Sequence, residues 1–296
     1  MCGYAIAPST VPVMLALPTM VFTTIGTALC VGSANAFNQW IEQPFDAQMT
    51  RTRTRVLVRR AMSSAHALGF GIASGVGGVA ILHTLVNPTV AALGAANIVL
   101  YSGVYTYMKR TSIYNTWVGS VVGAIPPLMG WAASTGGTLD FPAAFVVAAV
   151  LYSWQFPHFN ALSWNLRADY AKAGYHMMCV TDPKLNATVA LRHAVALVPI
   201  AWLMPVLSIT TPWFAITSLV PNGLLIAGAY RFYRKSDEKT ARSLMFGSLV
   251  HLPLFLTLML LHKRSDDTAD MGALISIFGQ SAADIIAEAK KHNPSS

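Results

Sequence analysis

Three oxygen-bearing side chains share one face of a predicted helix near the start of the chain. Asn38, Glu42 and Asp46 are four residues apart, a spacing that stacks side chains about 6 Å apart along a helix. Such oxygens suit Mg²⁺, which binds one or two carboxylates and fills its remaining positions with water and substrate phosphate. Arg51 and Arg55 follow closely, and arginine binds diphosphate oxygens well. The pattern predicts a metal–diphosphate site, and the alternative is an ordinary helix end with interfacial acids and arginines.

A second carboxylate, Asp169, lies in a polar stretch that follows a later apolar run. Tyr170 and Lys172 come directly after it, and His158 lies at the inner end of the apolar run. Alone, Asp169 would be an ordinary loop acid. Two acid-bearing segments and several basic loops on one side of a membrane could together hold a metal–diphosphate group over a cavity between helices.

The composition shows what kind of chain must position these residues. Of the 296 residues, 54% are hydrophobic and 11% are charged, against roughly 25% charged in an ordinary soluble domain. No charged residue precedes Glu42, and even the uncharged run 243–262 reaches the length of about 20 residues that crosses a bilayer. Three scattered cysteines, Cys2, Cys30 and Cys179, predict neither a disulfide framework nor a metal pair. A soluble globular protein and a nucleic-acid binder are both excluded.

Turn signals divide the longest apolar runs, at Asn87-Pro88 and at 210–212. The predicted fold is therefore all-α, a polytopic transmembrane bundle of eight full spans plus a partial first helix within residues 1–7. That first segment is too short to cross a bilayer and is either a free stub or the second half of a longer helix. The predicted spans are 12–40, 65–86, 89–107, 116–134, 142–160, 190–208, 212–230 and 244–262.

The distribution of charge predicts the orientation in the membrane. Four loops carry most of the 20 Lys and Arg residues, and the loops that alternate with them carry none. By the positive-inside rule, the four basic loops face the cytoplasm or the mitochondrial matrix. We expect residues 1–264 to form the transmembrane domain and 265–296 a polar tail, in which 273–291 could form an amphipathic helix.

Three motifs resemble those of the protoheme IX farnesyltransferase family, or heme O synthases, within the intramembrane UbiA-type prenyltransferase superfamily. The resemblance extends from about residue 12 to 264, and its first motif is closer to the mitochondrial branch than to the bacterial one. The matching residues are Asn38, Glu42, Asp46, Met49, Arg51, Thr52 and Arg55; Tyr105, Lys109, Arg110, Asn115, Trp117, Gly119, Gly123, Pro126, Pro127, Gly130 and Trp131; and Trp154, Pro157, His158, Phe159, Asp169, Tyr170 and Gly174.

This resemblance implies a nine-helix bundle around a cavity that opens to the membrane. It implies transfer of the farnesyl group of farnesyl diphosphate to a vinyl group of heme B, which yields heme O, the precursor of heme A for cytochrome c oxidase. The implied location is the mitochondrial inner membrane with the basic loops and active site on the matrix side, or otherwise a bacterial plasma membrane. The implied partners are heme B, farnesyl diphosphate, the lipid bilayer and heme A synthase or other oxidase-assembly proteins, with no nucleic acid.

The resemblance also implies a role for each matching residue. The implied ligands of Mg²⁺ are Asn38, Glu42, Asp46 and Asp169. The implied catalytic residues are these four together with Lys109 and Arg110. The implied substrate-binding residues are Arg51, Arg55, Asn115, His158, Tyr170 and Lys172, of which His158 could bind the heme iron or a propionate.

Two other functions remain open at this point. A prenyltransferase with another aromatic acceptor, such as 4-hydroxybenzoate, would share the diphosphate site and differ only on the acceptor side. A non-catalytic heme carrier or transporter would place its polar groups near the membrane midplane, commonly within internal repeats. Metal-dependent release of diphosphate distinguishes an enzyme from a carrier.

Overall fold

The computed structural model describes residues 2–140 and 142–264, and this part of the chain is helical without a β-strand. Its helices lie in one compact unit that ends at His262. The predicted tail at 265–296 lies outside the described residues. The helices are α1 Cys2–Ile6, α2 Val13–Asp46, α3 Ser64–Leu85, α4 Pro88–Ile98, a π-helical segment Val99–Tyr105, α5 Thr106–Met108, α6 Asn115–Ser134, α7 Ala143–Asn165, α8 Arg167–Lys172, α9 Met178–Thr181, α10 Pro183–Val206, α11 Trp213–Thr217, α12 Leu219–Lys235 and α13 Glu238–Leu261.

Local sequence explains where several helices begin. A side-chain oxygen caps the first turn of α3, α4, α10 and α13 by accepting a hydrogen bond from a backbone N–H; the capping residues are Ser63, Asn87, Asp182 and Asp237. Pro88 and Pro183 occupy the first helical position, where proline has no N–H to lose. The Asp182 cap starts α10 before the predicted boundary at 190.

Helix α2 is longer than the predicted span 12–40. It continues through Pro44 to Asp46, so Asn38 and Glu42 lie on the same helix as Asp46. The metal-binding face predicted from their spacing is therefore continuous.

Each predicted span corresponds to a long helix or to consecutive helices, which confirms the all-α bundle. Six of these segments are long and apolar enough to cross a membrane. The predicted spans 116–134 and 142–160 form α6 and α7, which are not among these six. Because 12 of the 20 residues of α6 and 13 of the 23 of α7 are buried, these two helices face other helices more than lipid. The count of eight spans remains a prediction.

Helix α7 lies at the centre of the packing, against α6, α10 and α13. Helix α2 packs along α3 and also contacts α6. Contacts between the four predicted basic loops bring them together at one end of the bundle. The backbone N–H of His176 donates to the carbonyl of Lys109, and the Thr50 hydroxyl donates to Asp169 Oδ1. Arg167 Nη2 lies 4.0 Å from Glu238 Oε1, and the Gln43 amide at the end of α2 donates to the carbonyl of Leu57. The end of α2 that carries Glu42 therefore lies beside the basic loops.

The contact between α2 and α3 yields a first prediction. A Cβ atom at Gly78 would lie 2.9 Å from the carbonyl oxygen of Gly26 and 3.0 Å from the backbone nitrogen of Cys30, whereas a Cβ at Gly77 has no neighbour within 4 Å. We expect Gly78→Ala to lower the free energy of unfolding by about 1–3 kcal/mol, because it overpacks a backbone contact. Gly77→Ala should be neutral or stabilising, because alanine favours the helix.

Thermal unfolding of both variants in the same detergent tests this expectation. Equal melting temperatures for the two variants would show that α2 and α3 do not pack as closely as described.

Candidate active site

The last turns of α2 place three polar side chains inside the bundle. Asn38, Glu42 and Asp46 are only 2%, 4% and 2% exposed, although polar and charged groups are costly to bury. All three line a cavity of about 190 Å³ at the basic end of the bundle. The full lining is Asn38, Glu42, Asp46, Met49, Arg51, Thr52, Arg55, Tyr101, Tyr105, Lys109, Phe159, Leu162, Tyr170, Tyr175 and Met177. We call this the acidic cavity.

Each buried carboxylate in this cavity is paired with a cation from another segment. Lys109 Nζ lies 2.8 Å and 3.1 Å from the two carboxylate oxygens of Glu42, and Arg55 Nη1 lies 2.5 Å from Asp46 Oδ2. Arg51 also lines the cavity and forms no ion pair with any described residue. The cavity thus combines three cationic and two anionic side chains, which suits a ligand of high negative charge.

A π-helical turn positions the lysine. Within Val99–Tyr105 the chain makes one wider turn, and π-helical turns often occur at functional sites. The Thr106 hydroxyl donates to the carbonyl of Tyr101 at 2.8 Å and accepts from the Asn38 amide at 2.8 Å. This hydroxyl therefore ties α2 to the helix end from which Lys109 reaches Glu42.

Two tyrosines from the loop after α7 close the acidic cavity. Gly174, at φ +70°, ends α8 in a left-handed conformation that favours glycine, and Tyr175 follows it into the interior with 4% exposure. The Tyr175 hydroxyl is buried and forms no hydrogen bond of good geometry with a described residue. Burial and the nearby Glu42 and Asp46 raise its pKa above the ordinary value, and burial raises the pKa of Tyr170 to about 12. Both phenols therefore stay protonated near neutral pH, and the Tyr175 O–H, which lies beside Glu42, can act as a donor.

The second predicted acid lies at the rim of this cavity. Asp169 is not among the lining residues, and its Oδ1 accepts a hydrogen bond from the Thr50 hydroxyl at 3.2 Å. Its sequence neighbour Tyr170 lines the cavity, as do Met49 and Arg51 on either side of Thr50.

Three more of the predicted site residues lie outside the acidic cavity. The Arg110 guanidinium lies over the Phe45 ring, 4.9 Å from its centroid. The Asn115 amide is buried and donates to the carbonyl of His176 at 3.1 Å, a contact that joins two loops. Lys172 is exposed in the last turn of α8. The structure thus places their side chains around the site and leaves their predicted roles untested.

Two apolar cavities continue from the acidic one. A cavity of about 380 Å³ shares Tyr101, Tyr105 and Phe159 with it, and a cavity of about 210 Å³ shares Tyr101 with both others. The larger one, which we call the histidine cavity, is lined by Tyr101, Tyr105, Gly119, Ser120, Val122, Gly123, Trp154, Gln155, His158 and Phe159. A charged group and an attached apolar chain could therefore occupy adjoining spaces.

Glycines on α6 leave room for the polar and aromatic walls of the histidine cavity. A Cβ at Gly119 would lie 2.8 Å from the Tyr105 ring, and one at Gly123 would lie 2.1 Å from Gln155 Oε1. Neither substitution is possible without moving that wall.

Several lining residues were not assigned a role from the sequence. Tyr101, Gln155 and Tyr175 were not singled out, and Tyr105 and Phe159 entered only as parts of motifs. The available signal was the placement of aromatic residues beside charged ones at helix ends, as in Tyr105 near Lys109. That signal is weak, because aromatic residues are common at the ends of membrane helices.

The donor atoms at the acidic cavity fit a magnesium ion that also binds a substrate. The described residues contain no group of three or more His, Cys, Asp or Glu side chains that could hold a metal alone. Glu42, Asp46 and Asn38 offer two carboxylates and one amide oxygen, and Mg²⁺ commonly completes such a set with water and substrate phosphates. These residues therefore suit a metal that arrives with a phosphorylated substrate.

Comparison of the sequence with known families now identifies the architecture. Residues 1–258 match the UbiA prenyltransferase family. The chain belongs to this family. It is 50% identical over 270 residues to "Protoheme IX farnesyltransferase, mitochondrial" of Homo sapiens, covering 91% of this chain and 60% of the relative. It is 47% identical over 278 residues to the protein of the same name from Yarrowia lipolytica, covering 89% and 58%. The resemblance seen in the three motifs is confirmed, and the chain spans about three fifths of these relatives' length.

Two solved structures share the fold. One is a structure reported for digeranylgeranylglyceryl phosphate synthase in membranes, with a TM-score of 0.72, 13% identity, and coverage of 88% of this chain and 90% of that one. An apo UbiA homologue from Aeropyrum pernix K1 matches with a TM-score of 0.62, 15% identity, and coverage of 85% and 93%. At these identities the likeness shows the fold alone.

The buried hydroxyl of Tyr175 yields a second prediction. Tyr175→Phe should weaken binding of inorganic diphosphate in the presence of Mg²⁺ by about tenfold, because it removes one hydrogen bond to a charged group. Its melting temperature should change little, because the contact of this hydroxyl with Glu42 is not a hydrogen bond of good geometry.

Isothermal titration calorimetry with diphosphate tests this, with Tyr230→Phe on the exposed side of α12 as the matched control. An unchanged dissociation constant in Tyr175→Phe would remove Tyr175 from the binding site.

Proposed function

We propose that this chain transfers the farnesyl group of farnesyl diphosphate to a vinyl group of heme B, producing heme O for the synthesis of heme A. The observation that carries the proposal is the junction of a buried acidic cavity with an apolar cavity lined by His158. The names of the relatives that are about half identical support the same acceptor.

The acidic cavity supplies the groups that a departing diphosphate needs. We assign Arg51, Arg55 and Lys109 to the neutralisation of the charge that develops on the diphosphate as the allylic C–O bond breaks. Arg110, which lies over the Phe45 ring outside the cavity, would add to the positive potential at the diphosphate.

A magnesium ion would be held by Asn38, Glu42 and Asp46, with Asp169 joining from the rim. When bound, it supplies Lewis-acid stabilisation of the diphosphate. Tyr170 and Tyr175 would donate hydrogen bonds to the same group, and Lys172 would attract the substrate from the surface.

The apolar cavities supply the surroundings for the carbon–carbon bond. A farnesyl cation is destroyed by water, so a site that excludes water protects it until the vinyl carbon attacks. Tyr101, Tyr105 and Phe159 form the shared wall across which the two substrates would meet. His158 would bind the heme on the acceptor side, and Asn115 would hold the adjacent loops in place.

The proposed setting is the mitochondrial inner membrane, with the basic loops and the acidic cavity on the matrix side. The apolar helices and the names of the relatives support this location. Heme A synthase or other oxidase-assembly proteins are the proposed recipients of the product.

The third prediction concerns the reaction itself. Membranes that contain the chain should form heme O from heme B and farnesyl diphosphate only when Mg²⁺ is present, as identified by product mass. Asp46→Asn should lower turnover at least about a hundredfold, because it removes a charged group that acts on the transition state. Asp140→Asn, at the opposite end of the bundle, is the matched control.

Other outcomes would assign the alternative functions. Diphosphate release with 4-hydroxybenzoate but not with heme B would indicate a prenyltransferase with another acceptor. Heme binding without any diphosphate release would indicate a carrier. Near-normal turnover in Asp46→Asn would overturn the assignment of the acidic cavity.

The fourth prediction concerns the acid at the rim. If Asp169 completes the metal site, Asp169→Asn should raise the Mg²⁺ concentration that gives half-maximal activity by about tenfold, with activity restored at high Mg²⁺. Thr50→Val removes the hydrogen bond to Asp169 and keeps the carboxylate, so its Mg²⁺ requirement should change less. If the Mg²⁺ requirement is unaltered in Asp169→Asn, Asp169 does not bind the metal, and its role is the hydrogen bond that it accepts from Thr50.

A further inference from the structure

The histidine cavity contains one imidazole whose protonation pattern follows from its neighbours. His158 Nδ1 lies 2.8 Å from the Ser248 hydroxyl oxygen on α13. The same hydroxyl donates to the carbonyl of Met245 at 2.6 Å. A serine hydroxyl has one proton to donate, and Ser248 donates its proton to Met245. The Ser248 oxygen must therefore accept a hydrogen bond from His158. Nδ1 of His158 therefore carries the proton.

The other ring nitrogen of His158 is consequently left with a lone pair. In a neutral imidazole only one nitrogen is protonated, so Nε2 is the acceptor. The Met245 carbonyl, which accepts from Ser248, also interacts with the His158 ring, and the side chain lines the histidine cavity. A neutral histidine of this form can bind a metal through Nε2, but it has no N–H there to offer a propionate.

Ser248 also fixes the orientation of the ring. The Trp154 indole stacks on the His158 ring at 4.9 Å between centroids and an interplanar angle of 11°. Trp154 Nε1 in turn donates to the backbone carbonyl of Ser248 at 3.0 Å. One residue of α13 thus holds both rings of α7 through its hydroxyl and its carbonyl.

His66 and His83 lie exposed on α3, and the two remaining histidines of the long helices lack this combination. His193 Nδ1 contacts the carbonyl of Val189, and the ring stacks on Phe156 at 3.6 Å. His251 is buried, and its Nε2 contacts Asn222 Oδ1 at 2.9 Å. Neither residue is among those that line the acidic cavity or the two apolar cavities.

We propose that Ser248 is a positioning residue that makes His158 an axial ligand of the iron of the acceptor heme. Metal-binding histidines almost always donate their second ring N–H to an acceptor, which sets the tautomer and increases the basicity of the ligand. Here Ser248 Oγ is that acceptor, and its own proton is directed to Met245. This proposal rests on heme B being the acceptor, as proposed above.

Such a ligand would orient the substrate as well as bind it. Coordination through Nε2 would hold the heme at His158. The wall formed by Tyr101, Tyr105 and Phe159 separates this position from the acidic cavity, so a vinyl edge turned toward that wall would face the allylic carbon of the prenyl chain. Ser248 would therefore influence reaction geometry without touching either reacting atom.

The test is spectroscopic and needs no farnesyl diphosphate. The purified chain is titrated with heme B in detergent, reduced with dithionite, and examined for the iron–histidine stretching band by resonance Raman spectroscopy. The wild type should show the band, His158→Ala should lose it, and added imidazole should restore an axial nitrogen ligand in that variant.

The serine variants then test the positioning role. Ser248→Ala should weaken heme affinity about tenfold and shift the band to lower frequency, because the Nδ1–H hydrogen bond is weakened. Ser248→Thr keeps the hydroxyl and should retain the wild-type band. Ser243→Ala, an exposed serine on the same helix, should change neither quantity.

The failures of the two proposals are distinguishable. Persistence of the band in His158→Ala, or an identical band and affinity in Ser248→Ala, would overturn the inference even if heme O is formed. Absence of heme binding in the folded wild type would instead overturn heme B as the acceptor. If Ser248→Ala fails to fold, the comparison of wild type, His158→Ala and Ser248→Thr still decides iron ligation.

Discussion

The burial of two carboxylates at the end of one membrane helix is the constraint on which the rest of the site depends. Glu42 and Asp46 are almost entirely enclosed, and an uncompensated buried charge costs several kcal/mol. Lys109 must therefore arrive from the end of α5, and Arg55 from the loop after α2. The Thr52 hydroxyl helps by donating to the carbonyl of Asp46, which closes that loop against the helix end. A diphosphate that binds here meets cations already in place.

The same arrangement separates polar from apolar chemistry in adjoining cavities. The charged side chains gather at the end where α2 meets the basic loops, whereas glycines on α6 leave room for an apolar space deeper in the bundle. Tyr101 lines all three cavities. The central helices α6 and α7 line the histidine cavity and pack against their neighbours, so more than half of the residues in each are buried.

Much of this architecture could be predicted without coordinates. A bilayer requires each spanning segment to satisfy its own backbone hydrogen bonds, so uncharged runs predict helices directly, and the turn signal at Asn87-Pro88 divides one run correctly. The spacing of Asn38, Glu42 and Asp46 likewise predicts one helical face. The predicted membrane span ended at residue 40, because the segment after that residue is polar and charged, whereas the helix itself continues to Asp46.

The sequence by itself determined the helical class, the family and the polar face of α2, because these depend on periodicity and on residues close together in the chain. Only the tertiary structure decided which cations meet which acids, that Asp169 lies at the rim, and that Tyr175 enters the cavity. It also joined His158 to Ser248 on α13. These contacts link residues far apart in the chain, and they depend on the packing of several helices at once, which no local pattern records.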